Sequence, residues 1–148
     1  MKKLIPMLVM IVLFAAISCG CSILNSAFYA KFPSGFTDKE EHFDPDGFQD
    51  SVDYCKYFYP SAEAFENDDR FESVGTVGAE KVKSYFDDFA DWMDTCGRLD
   101  EYDFDPATIS DDDFVCIKSE PHFTDYDDYD VYYFDVRTLT LYYIHANI

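Results

Sequence analysis

In GFQDSVDYCKYFYP, residues 47–60, the side chains of Phe48, Val52, Cys55 and Tyr59 recur at intervals of three and four, with Phe58 beside them. That spacing gathers them on one face of a helix. Pro60 supplies a stop, because it has no backbone N–H to continue the ladder. Further along, residues 61–76 are mixed, with Arg70 to Val74 a short strand candidate. GAEKVKSYFDDFADWMDTCG, residues 78–97, is the clearest element. Val82, Tyr85, Phe86, Phe89, Trp92, Met93 and Cys96 follow a 3.6-residue period, four aspartates (Asp87, Asp88, Asp91, Asp94) occupy the other face, and Gly97 fits a C-cap.

Three strand candidates follow an acidic connector: DFVCIKS (113–119), YDVYYFDV (129–136) and LTLYYIH (139–145). They are rich in Val, Ile, Phe and Tyr, as strands prefer, and only Arg137 and Thr138 separate the last two, short enough for a hairpin. Large apolar groups lie on both faces of these strands, so the sheet they form needs a helix on one side and partial cover on the other. The expected fold class is α+β, two helices followed by a three-stranded antiparallel meander, in a single domain over residues 47–148. Residues 19–46 hold two Pro-containing turn signals and no clear period, and read as a tether that orders against the domain through its phenylalanines.

Composition limits the partners. Hydrophobic residues make up 48% of the 148-residue chain, too many for a disordered polymer despite its charge. The formal net charge is −19, and every Asp and Glu lies beyond residue 37. A surface of that sign repels phosphate backbones and anionic lipid, so nucleic acid is excluded as a partner and any membrane attachment must be hydrophobic or covalent.

Such an attachment is written into the first residues. MKKLIPMLVMIVLFAAIS has a basic tip, Lys2 and Lys3, then an apolar run from Leu4 to Ile17, the two parts of an export signal. Ala16-Ile17-Ser18-Cys19 follows, small residues before a cysteine at the end of the apolar run. This resembles the lipobox of bacterial lipoprotein precursors, over about the first 22 residues. The resemblance implies that residues 1–18 are a removed signal peptide and that Cys19 is the lipidated first residue of the mature chain, with Cys21 the alternative. Length alone allows a second reading. Leu4 to Leu24 is 21 uncharged residues, which at about 1.5 Å each cross a hydrocarbon core of roughly 30 Å as an uncleaved anchor, 4–24. Both readings leave the two lysines in the cytoplasm and the acidic remainder outside the membrane.

Motifs for chemistry are sparse. Between Asp100 and Asp130 there are 12 acidic residues and one basic residue, Lys118. Yet DYDDYD (125–130), DDD (111–113) and DPDG (44–47) all lack the glycine and terminal glutamate that an EF-hand loop requires, and no metal or other cofactor is expected. The three histidines, His42, His122 and His145, are scattered. Cys116, His145 and Asp135 suggest a nucleophile triad. In a meander, however, the first and third strands stand about 9.6 Å apart, beyond hydrogen-bond reach. GTVG (75–78) has the form of the clamp in KH domains, on a chain too acidic for that use. Cys55 and Cys96, each on the apolar face of an expected helix, are either a disulfide pair, permitted outside the cell, or packed thiols. Six tyrosines crowd the C-terminal strands. They read as cross-strand packing or as a recognition surface for protein or carbohydrate, with Tyr132 and Tyr142 the contact candidates.

The expected function is therefore a membrane-tethered extracytoplasmic (lipo)protein whose folded part binds or scaffolds without catalysis. The alternative is a secreted-side hydrolase using paired carboxylates, which the abundance of acid neither favours nor excludes.

Overall fold

The computed structural model describes residues 33–43, 51–121 and 127–147. Residues 33–148 form one compact unit. Its framework is a six-stranded antiparallel sheet in the order β1-β2-β6-β5-β4-β3. The strands are β1 (Asp38–His42), β2 (Ser51–Phe58), β3 (Glu72–Ser73), β4 (Phe114–Pro121), β5 (Asp127–Asp135) and β6 (Thr140–Asn147). Among the described residues three α-helices accompany them, α1 (Glu63–Glu66), α2 (Val74–Val77) and α3 (Ala79–Thr95), with two short 3-10 turns after α3. The chain is thus mostly β, and the expected pair of helices followed by a three-stranded meander is overturned.

The correction turns on residues 47–60. Residues 51–58 form β2, which pairs with β1 from Asp38↔Phe58 to His42↔Tyr54 and with β6 from Ser51↔Asn147 to Phe58↔Thr140. A strand sends alternate side chains to opposite faces. Val52 and Tyr54 enter the cluster beneath α3, while Cys55 and Tyr57 are buried on the other face. With both faces covered, apolar residues fill nearly every position, and a subset of them falls at intervals of three and four without any helix being present. Valine and aromatics also suit a strand better than a helix. β1 lies within the stretch read as tether; its residues, DKEEH, are largely exposed along the sheet's outer edge.

α3 forms where its period places it. Val82, Phe86, Phe89 and Met93 are fully buried against Val52, Tyr54, Val115, Val131, Tyr133 and Ile144 of the sheet. Each such side chain contributes about 1.5–3 kcal/mol by leaving water. Gly97, at φ 68°, ends the helix. Its N–H reaches the Asp94 carbonyl and the Arg98 N–H reaches the Met93 carbonyl, the paired bonds of a Schellman motif. On the opposite face a smaller aromatic cluster lies under α1: Phe65 stacks on Phe134 (3.8 Å) and meets Tyr59 and Phe71 edge-on.

The acid-rich and tyrosine-rich composition meets in one recurring contact. Five tyrosine hydroxyls among the described residues donate to carboxylates: Tyr54 to Asp103 (2.7 Å), Tyr57 to Glu41 (2.9 Å), Tyr129 to Asp88 (2.9 Å), Tyr133 to Asp113 (2.5 Å) and Tyr143 to Asp130 (2.8 Å). Asp113, fully buried, also accepts from the backbone N–H groups of Ser110 and Val136. A buried carboxylate is tolerated when its oxygens are hydrogen-bonded in this way.

Candidate functional site

Two regions carry polar groups in an organised way. The first lies on the sheet face away from α3, where register aligns Lys118, Asp130, His145 and Asp53 across β4, β5, β6 and β2. One Asp130 oxygen receives the Tyr143 hydroxyl and lies 3.1 Å from His145 Nδ1. Burial works against the charge of each partner. The Asp130 contact nevertheless raises the His145 pKa, and the His145 and Tyr143 hydrogen bonds hold Asp130 below the ordinary carboxylate value. Each partner thereby favours the charged form of the other, an arrangement that ties β5 to β6. Beside the pair, Tyr132 stacks on Tyr143 (4.8 Å) and lies under the Lys118 ammonium (5.0 Å).

The second region is the outer edge of β4. The Val74 N–H donates to the Asp113 carbonyl (2.8 Å), one step beyond the paired residues Ser73 and Phe114. In an antiparallel ladder, facing residues that exchange hydrogen bonds alternate with facing residues that do not. Asp113, Val115, Ile117 and Ser119 therefore turn their N–H and C=O groups toward the β3 side. β3 meets this row only as far as Val115. The chain leaves because Arg70 is clamped to Asp68 (2.5 Å) in a tight turn, and because Phe71 buries itself against Phe65 on the other face. Among the described residues no strand lies beside Ile117 and Ser119. A groove of about 300 Å³ runs along this edge beneath α3, walled by Val77, Lys81, Tyr85 and Ile117, with Glu72 at the β3 end.

The residues singled out from sequence are dispersed. Cys19, Cys21, His122, DPDG and the 4–24 anchor lie outside the described residues, as do the first two residues of DYDDYD, whose other four begin β5. Among the described residues no helix is long and apolar enough to cross a membrane, and no three His, Cys, Asp or Glu side chains gather as a metal site. Tyr132 and Tyr142 point to opposite faces: Tyr132 is buried against Tyr143, while Tyr142 is half-buried against Phe104 (4.6 Å) under the helix side. Cys55 and Cys96 are free thiols, the first buried in β2 with its pKa pushed up to about 12 by burial, the second exposed at the end of α3. Cys116 and His145 are separated by β5, and Asp135 faces the α3 side with Tyr133, so no triad assembles. GTVG forms α2 and its junction with α3. The β4 edge was not foreseen. Its only local signals are Lys118 within the strand and Pro121 at its end, residue types that favour edge strands.

No protein-family model matches this chain, and neither does any curated protein or solved structure.

Proposed function

We propose that this chain is a membrane-tethered extracytoplasmic protein whose folded part binds a partner and does no chemistry on it. The tether rests on the export signal and on the lipobox resemblance at Cys19. The binding role rests on one observation: β4 presents two alternate residues, Ile117 and Ser119, whose outward backbone groups face no strand among the described residues and lie beside a groove. Backbone groups so placed are a template for a further strand. The hydrolase alternative requires a carboxylic acid held above its usual pKa. Among the described residues the carboxylates with a resolved shift, Asp68, Glu101, Asp103 and Asp130, are all displaced downward.

Placement and role are tested together by a photo-crosslinking residue at Ser119 in intact cells, with Asp91, exposed on α3, as the control position. Adducts at 119 that are absent at 91, and that external protease removes, are the expected result. Equal labelling at both positions overturns the binding role. A domain that resists protease on intact cells but not after membrane lysis overturns the placement.

A further inference from the structure

We propose that the β4 edge accepts an extended, cationic peptide segment of another protein as a seventh strand, antiparallel to β4 and in line with β3. This rests on the binding reading above and adds the chemistry of the partner.

The backbone geometry sets the length and direction. An incoming strand that continues β3 would place two of its residues opposite Ile117 and Ser119 and exchange N–H···O=C bonds with both, four hydrogen bonds in all. Pro121 has no N–H and ends the row, so the site accommodates about four or five residues. Facing side chains lie on the same side of a sheet. The two residues opposite Ile117 and Ser119 therefore enter the groove beneath α3, whose accessible lining is mostly polar, with Val77, Ile117 and the Tyr85 ring beside Glu72, Lys81 and Ser119. The residue between them lies on the Lys118 side.

Charge selects among extended peptides. Glu72 and Lys81 line the groove as one acid and one base, and the excess of acid lies around it, with Glu80 exposed beside Lys81 on α3 and Asp88, which accepts from Tyr129, one turn beyond Tyr85. The whole chain carries −19. A field of that sign attracts and orients a basic segment and repels an acidic one. The same argument disfavours a second copy of this chain, since antiparallel pairing of two β4 edges centred on Lys118 would juxtapose like charges and bring together two strongly acidic domains.

The test uses the full-length chain in detergent with two labelled peptides, alternating lysine–valine and alternating glutamate–valine, followed by fluorescence anisotropy. Ser119→Pro removes an outward N–H without removing any bond to β5, and Ser119 is exposed, so the fold should be retained; circular dichroism and the unfolding midpoint check this. The inference expects the lysine peptide to bind, the glutamate peptide to bind at least about tenfold more weakly, and Ser119→Pro to weaken the lysine peptide by about tenfold. It further expects Lys81→Glu to tighten binding, Glu72→Lys to loosen it, and the Ile117 and Ser119 amides to gain protection from hydrogen exchange. Equal binding of the lysine peptide by wild type and Ser119→Pro, with no added amide protection, overturns the inference, and the crosslinking at Ser119 then decides separately whether this edge meets any partner. Preference for the glutamate peptide overturns the assigned charge in the same way. Cleavage of either peptide overturns the binding reading itself.

Discussion

Asp130 shows how single residues in this chain combine charge with structure. It receives Tyr143 and His145 at once, and each bond joins β5 to β6. His145 has a folded pKa above its ordinary 6.5, so its contribution to stability is fully present below that value and is lost as pH rises through the folded pKa. Asp130 is displaced below 3.8, so its contribution is present above that value and is lost as pH falls through the folded pKa. The pair is strongest between the two ordinary values. From about pH 6 to about pH 9 the wild-type chain should lose about 1 kcal/mol that His145→Gln does not, read as a narrowing gap between their urea midpoints. Parallel curves would show that the pair contributes nothing. At this scale the sequence was partly legible. Crowding of tyrosine and aspartate was evident, and packing was one of two readings given for the tyrosines. Which tyrosine meets which carboxylate was not: Tyr54 and Asp103 lie 49 positions apart, and only strand register brings such partners together.

Elements were legible where either a helical period or a run of strand-forming residues stood out by itself. α3 has an apolar stripe and an acidic back, and the 3.6-residue period located it together with its Gly97 cap. β4, β5 and β6 were recognised by their β-branched and aromatic residues, although the turn between β5 and β6 has four residues and not two: residues 136–139 form it, with Asp135 accepting from the Arg137 and Thr138 N–H groups and Leu139 at φ 54°. β2 failed because it is covered twice and so carries no clean period. The helix start supplies a sharper test. Gly78 sits at φ 101° and ψ 118°, a conformation costly for any residue with a Cβ, yet no atom lies within 4 Å of where that carbon would be. Gly78→Ala should therefore cost about 1–2 kcal/mol through backbone strain alone, lowering the thermal midpoint by several degrees without altering the circular dichroism spectrum. An unchanged midpoint would mean that the α2–α3 junction relaxes without cost.

At the scale of the whole molecule, charge acts against compaction. A chain at −19 with pI near 4.1 repels itself most in the folded state, where its carboxylates are closest. Raising sodium chloride from about 0.05 M to about 0.5 M should raise the unfolding midpoint, because screening relieves that repulsion more than it weakens exposed pairs such as Lys83–Asp87. A falling midpoint would show that the ion pairs dominate. Sheet order was the least legible feature, and the β4 edge went unseen with it. Nothing local records that β6 inserts between β2 and β5, since that choice is made by long-range pairing and the burial it permits.

That insertion has a temporal consequence. β2 finds its inner neighbour only when residues 140–147, the last of the strands to be synthesised, have appeared. Until then the β1–β2 hairpin must wait as an isolated two-stranded piece, which is at best marginally stable in water. Folding of this domain is thus held back to the final stage of its emergence, whether from a ribosome or from an export channel, and a chain interrupted before β6 should leave a protease-sensitive fragment and no smaller domain.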